Sequence, residues 1–180
     1  MLGEPTKITC NNSDLRARVL PLLRGQVFHV TKLQTFDSIR TTGSIKNNRD
    51  GQFRFTYGQS ANSYGRVRGW VSLFDLRNAT DAEIDEALLK YYFLNPFFDE
   101  STHVYLFISE CAWPYLISWE RAKQEKAWKE MFIPDVETWY PGDIPISLVS
   151  DALVVTVQTR EDSLVAQLRE AIQNVRKRTS

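Results

Sequence analysis

The chain holds only two histidines, and one of them, His29, lies in the apolar run Gly-Gln-Val-Phe-His-Val-Thr, residues 25–31. Alternation along a strand puts His29 and Thr31 on one face, at the point where the strand gives way to a helix. A neutral imidazole and a hydroxyl there can hydrogen-bond an amide or a ribose hydroxyl. A core or capping histidine is the plainer account. A second group is residues 56–77, TYGQSANSYGRVRGWVSLFDLR, which gathers Tyr57, Ser60, Tyr64, Arg66 and Arg68 around glycines. Glycine-flanked arginines can approach a diphosphate closely and clamp it with two donors, and tyrosines can stack on a planar ring. A polar surface hairpin has the same composition.

The third group is Val136-Glu137-Thr138-Trp139-Tyr140, a lone carboxylate among bulky apolar side chains. In a cleft, desolvation pushes such a carboxyl up and a bound cation pulls it down. Glu110 and Glu120 are rival carboxylates, and Glu110 also follows a strand.

These groups need elements to carry them. Residues 26–30 read as a strand, and Thr31-Lys-Leu-Gln34 as a capping box opening a helix with Leu33, Phe36 and Ile39 buried and Gly43 as its stop. A long polar connection, residues 44–69, follows, with a strand expected near 52–57; polar loops of that length are more often functional than idle. Residues 70–76 read as a strand, and Thr80-Asp-Ala-Glu83 as a second capping box before a helix. Residues 103–109 read as a central strand, 113–129 as one or two helices and 131–140 as a strand bent at Pro134. Residues 144–149 suggest a helical turn, and 153–157 a buried strand. The expected organisation is a single α+β domain over residues 1–180: a lead-in at 1–24, a core at 25–158 and a closing helix at 159–180.

Net charge is zero, with 22 basic and 22 acidic residues, which argues against non-specific binding to a long polyanion. The charge is uneven, however: residues 40–70 carry a net +5 and residues 75–137 a net −7. A basic segment of that kind suits a small anionic ligand as well as a solvated loop. Two scattered cysteines and two histidines do not form a zinc motif, and nucleotide-binding glycine motifs and serine-nucleophile motifs are missing. No apolar run approaches the roughly 20 residues that span a bilayer, and the first residues do not read as a signal peptide. The expectation is a cytoplasmic protein without membrane or metal partners.

The strand ending in His-x-Thr, the helix closing on Gly-Ser-Ile, the arginine-bearing loop and the late VETWYPGDIP before LVVTV together resemble ADP-ribosyltransferase domains. The similarity is nearest to the DarT-type enzymes that modify nucleic acids, and it runs thinly over residues 25–157. It implies two small mixed or antiparallel sheets around a central cleft that binds NAD⁺ as a substrate. It further implies that His29 and Thr31 hold the nicotinamide side, that Glu137 is the catalytic glutamate, and that an arginine after the first helix is functional. Arg66 is assigned with Glu137 to catalysis, and Arg68, with Tyr57, Ser60 and Tyr64, to the cofactor; Arg49 and Arg54 are open alternatives. The implied reaction moves ADP-ribose to a nucleic-acid or protein acceptor. An RNA 2′-phosphotransferase and a silent nucleotide- or protein-binding domain of the same fold are the alternatives. The NAD⁺ reading expects His29 and Glu137 to look into the same crevice, with guanidinium groups at its rim.

Overall fold

The computed structural model describes residues 2–53, 61–94 and 101–158. The expected closing helix at 159–180, and Tyr57 and Ser60, lie outside these residues. The described chain is α+β, as its mixed patterning predicts. Its strands are β1 (Thr6–Asn11), β2 (Val27–Lys32), β3 (Ser44–Ile45), β4 (Trp70–Asp75), β5 (Ser101–Ile108), β6 (Ile117–Ser118), β7 (Glu137–Pro141), β8 (Ile144–Pro145) and β9 (Val149–Gln158). The helices are α1 (Leu15–Arg18), α2 (Leu20–Leu23), α3 (Leu33–Thr42), α4 (Tyr64–Val67), α5 (Asp81–Lys90) and α6 (Trp119–Gln124).

Seven strands join in one sheet in the order β1-β9-β5-β2-β4-β7-β6, and β3 pairs with β8 in a separate ribbon. This corrects the expectation of two small sheets. It also corrects the reading of residues 1–24 as a lead-in, because β1 is the sheet's edge and runs parallel to β9. Every other ladder in the large sheet is antiparallel.

One junction is incomplete. The β2–β4 ladder has two pairs, Val27 with Asp75 and Phe28 with Phe74. Beyond them, toward the chain start of β2, Leu76 N–H donates to Gln26 O and Gly25 N–H to Leu76 O. In the other direction no ladder pair joins the two strands, although β2 stays paired to β5 as far as Lys32 and β4 stays paired to β7 as far as Trp70. The large sheet therefore consists of two well-laddered halves joined at one end of a seam.

Both faces of the sheet are covered. On one, Phe28, Tyr105, Leu153 and Val155 pack against apolar residues of α1, α2 and α5. Phe28 sits at the centre of that aromatic cluster, with ring centroids 5.6 Å from those of both Phe74 and Tyr105. On the other face, Leu73, Val104, Leu106 and Val154 meet Phe36 and Ile39 of α3. Such two-sided burial explains why the central strands are near-continuous apolar runs.

Local signals fared unequally. The capping box at Thr80 is present: Glu83 N–H donates to the Thr80 hydroxyl at 3.3 Å while Thr80 N–H donates to the Glu83 carboxylate at 2.7 Å. Gly43 ends α3 in the left-handed region at φ 75°, its N–H reaching Ile39 O. The box expected at Thr31 does not form. Thr31 is buried inside β2, paired with Val104, and Lys32 precedes the helix without a side-chain cap. Leu33 of the expected buried stripe is 41% exposed. The ladder to β5 keeps the backbone of Thr31 extended, and tertiary pairing overrides the local cap. The expected strand at 131–140 starts only at Glu137: Met131 makes an isolated bridge to Ser63 and 134–136 form a turn, since Pro134 lacks a donor and Asp135 takes φ 67°. The expected helices at 113–129 shrink to a 3₁₀ turn at Glu110–Tyr115 and α6, with β6 between them. The expected strand at 52–57 begins as irregular chain at 52–53, and the rest lies outside the described residues.

Candidate functional site

The open seam is where one of the sequence candidates stands. His29 is the first residue of β2 beyond the two-pair ladder, and its Nδ1 lies 3.1 Å from the carbonyl oxygen of Ser72 on β4. A carbonyl only accepts, so Nδ1 carries the proton and Nε2 keeps its lone pair. Burial lowers the His29 pKa, the bond to Ser72 opposing this only in part, and the ring is held neutral. The half-buried imidazole thus offers one acceptor nitrogen, suited to a hydroxyl or amide donor. Thr31 shares its strand face, as alternation predicts.

Glu137 opens β7, opposite Phe74. Its side chain is 8% exposed. Oε2 accepts from Ile133 N–H at 2.7 Å and Oε1 from the Trp139 indole N–H at 3.0 Å. Glu137 N–H in turn reaches Ile133 O at 3.1 Å, so the 133–137 turn and the carboxyl hold each other. Burial raises the Glu137 pKa to about 7, against the pull of donors from Ile133, the Ser72 hydroxyl and Trp139. Near neutral pH this carboxyl is divided between its charged and neutral forms.

Register alternation places Glu137 on the face of Phe28 and Phe74, and His29 on the face of Leu106. The two candidates therefore leave their strands in opposite directions instead of sharing a face. Between them lies Ser72, whose carbonyl is 3.1 Å from the imidazole and whose hydroxyl helps to lower the pKa of the carboxyl. Sequence reasoning missed Ser72. The signal available was a lone hydroxyl in the otherwise apolar start of β4, Trp-Val-Ser-Leu-Phe. It missed Trp139 too, although a residue two positions after Glu137 on a strand must share its face.

The arginine-bearing loop has protein partners. Tyr64, expected against a ligand ring, is fully buried, with Trp139 at 4.6 Å and the Arg68 guanidinium at 3.6 Å from its ring centroid. Arg68, expected on a diphosphate, is paired with Glu125 at 3.0 Å and Glu130 at 2.5 Å. The Arg68 and Arg121 guanidiniums and the Tyr64 hydroxyl hold Glu125 far down, to about 2, the Arg121 bond contributing most. Arg66 donates from Nε to Asn48 O at 2.8 Å and lies against Gly51, so it braces the 48–51 turn. The structure brings His29 to Ser72 at the seam, with Thr31 on the same face of β2, while Glu137 stands beyond β4 on β7 and on the other face, so the single crevice expected for the two is not formed. Tyr64 adjoins Glu137 through Trp139, while Arg66 and Arg68 are engaged elsewhere. Of the rival carboxylates, Glu120 stands in the first turn of α6 and Glu110 opens the 3₁₀ turn after β5.

Among the described residues, no group of three or more His, Cys, Asp or Glu could hold a metal ion. No helix among them is long and apolar enough to cross a membrane. No family model matches the chain, and no curated protein or solved structure matches it either.

Proposed function

We propose that the chain is an NAD⁺-dependent transferase that moves ADP-ribose to a macromolecular acceptor, with Glu137 as its catalytic carboxylate and His29 reaching the cofactor from across the seam; Thr31, buried inside β2, has no part in it. The supporting observation is Ser72: at the open seam its carbonyl lies 3.1 Å from the imidazole of β2, and its hydroxyl helps to lower the pKa of the carboxyl of β7. A strand edge freed from its ladder presents peptide N–H and C=O groups, which match the donor and acceptor of a carboxamide such as nicotinamide.

The chemistry follows from charge. When the nicotinamide–ribose bond breaks, its electron pair leaves with the nicotinamide and positive charge develops on the sugar, as in glycoside cleavage. A fixed carboxylate beside that carbon stabilises the charge and accepts from the ribose 2′-hydroxyl, and one well-aimed group of this kind is worth about 3 kcal/mol. The nicotinamide ring of NAD⁺ is cationic, so its arrival favours the ionised form of Glu137. Neutral His29 accepts a ribose hydroxyl or amide proton at Nε2. The acceptor nucleophile then attacks the sugar carbon and loses its proton.

A second reading has one observation in its favour. Both Glu137 oxygens already have donors within the protein, as in a carboxyl that only braces its turn. That reading makes the chain a binding domain that holds a nucleotide without turnover. Incubating purified protein with NAD⁺ and candidate RNA, DNA and protein acceptors separates the two. Nicotinamide release that falls about 100-fold or more in a folded Glu137→Ala variant is the expected result. Thermal stabilisation by NAD⁺ without any release supports the binding domain instead.

A further inference from the structure

We propose that Trp139, seated by the single turn of α4, is the positioning residue that aims the Glu137 carboxyl. The role of that carboxyl rests on the transferase reading; its seating does not. Carboxyls rotate easily about their last bond unless both oxygens are held. Here Ile133 N–H fixes Oε2 and the Trp139 indole N–H fixes Oε1. The backbone donor could be removed only by proline at 133, which would also reshape the turn, whereas the indole donor is lost in a side-chain substitution. An indole has one hydrogen to donate, so its direction is set by whatever packs on the ring.

That packing comes from α4. Trp139 is fully buried, with Tyr64 at 4.6 Å on one side and Phe132 at 6.5 Å. The backbone of α4 presses on the pyrrole edge that bears the N–H. A Cβ on Gly65 would stand 2.2 Å from Trp139 Cδ1 and 2.6 Å from Nε1. Only glycine fits there.

A one-turn helix has no stability of its own and must be fastened from outside. The fastening is Arg68, stacked on Tyr64 and bridging Glu125 and Glu130, together with Tyr64 N–H donating to Met131 O and the Tyr64 hydroxyl to Glu125. The arginine and tyrosine of this loop thus act on the carboxyl through an indole. The other groups that face Glu137 are the Ser72 hydroxyl from β4 and the Tyr91 phenol at the end of α5.

Removing the indole N–H costs the ionised form more than the neutral one, because the charge-assisted bond is the stronger, so the carboxyl should hold its proton to higher pH. The experiment is a ¹³C-NMR titration of the Glu137 carboxyl in the wild type, Trp139→Phe and Gly65→Ala, with kcat/KM for NAD⁺ cleavage followed from pH 6 to 9. The expected result in Trp139→Phe is a midpoint raised by about one pH unit, the effect of one lost charge-assisted hydrogen bond. The matching kcat/KM should fall about fivefold at pH 7 and recover by pH 9, because it follows the ionised fraction of the free enzyme. Should Trp139→Phe not fold, Gly65→Ala, which must displace the indole, carries the same titration. An unmoved midpoint in a folded variant overturns the assignment, whatever the activity does. If the wild type cleaves no NAD⁺ the transferase reading fails, yet the titration still decides what positions Glu137.

Discussion

The two histidines sit on neighbouring strands of one sheet and end in different situations. His103, on β5, lies between complete ladders to β9 and β2 and is fully buried. Its Nε2 is 3.0 Å from the Tyr105 hydroxyl, and that hydroxyl is shared between Phe93 O and Leu94 O at 2.9 Å each. The imidazole there ties the end of the segment after α5 to the sheet. His29, on β2, stands where the ladder to β4 stops, and its ring reaches across to Ser72 with one nitrogen left for a ligand. The contrast teaches that residue type does not distinguish a structural histidine from a candidate ligand. The state of the neighbouring ladder does.

The contrast can be broken or sharpened by experiment. The largest expected effect is opposite pH dependence of stability from Glu137, beyond the seam, and from His103. Glu137, raised by burial from 4.5 to about 7, favours folding most when neutral. Its contribution is full below about pH 4.5 and is lost as pH rises through 7, an effect of about 3 kcal/mol. His103, lowered by burial from 6.5 to about 4, contributes fully above about pH 6.5 and loses that contribution as pH falls through 4, by a similar amount. Urea unfolding from pH 4 to 8 should therefore show stability falling toward both ends. Glu137→Gln should flatten the alkaline side alone, and a variant that leaves that side unchanged would show that the carboxyl is not the titrating group.

Next in size is Tyr105→Phe, which strips a hydroxyl from His103 and two carbonyls. It should cost about 2 kcal/mol of stability while, on the transferase reading, kcat/KM for NAD⁺ stays near the wild-type value, since the Tyr105 side chain is wholly buried. His29→Ala should do the reverse: KM for NAD⁺ rises about tenfold, the loss of one hydrogen bond, with little change in melting temperature. A large loss of stability and an unchanged KM would place His29 in the same class as His103. The smallest effect belongs to Thr80→Ala, about 1 kcal/mol from the lost cap of α5, read as a drop in melting temperature of a few degrees.

Much of the local order could be read in advance. Thr80 and Glu83 announce α5 because the box satisfies backbone donors with residues three apart, and Gly43 announces the end of α3 because left-handed backbone favours glycine. His29, Thr31 and Glu137 were recognisable as polar residues in apolar runs. Thr31 as a cap was misread, since the same residues that cap a helix also fit a strand when β5 is there to pair with them. Arg68 and Tyr64 were legible as a cation beside an aromatic, yet Glu125 and Glu130, which claim the arginine, lie some sixty positions away. Ser72 could not be singled out, because its importance comes from two neighbours on two different strands.

The amino-acid order by itself determined the class of the domain, the start of α5, the stop of α3 and the apolar strands of its sheet, because caps, turns and alternation act over a few residues. The tertiary structure alone decided that the sheet opens between β2 and β4, that the His29 imidazole meets the Ser72 carbonyl there, and that Trp139 holds the Glu137 carboxyl in place. Those outcomes depend on which strands become neighbours, and that is settled by burial of both faces of the sheet rather than by any local run of residues.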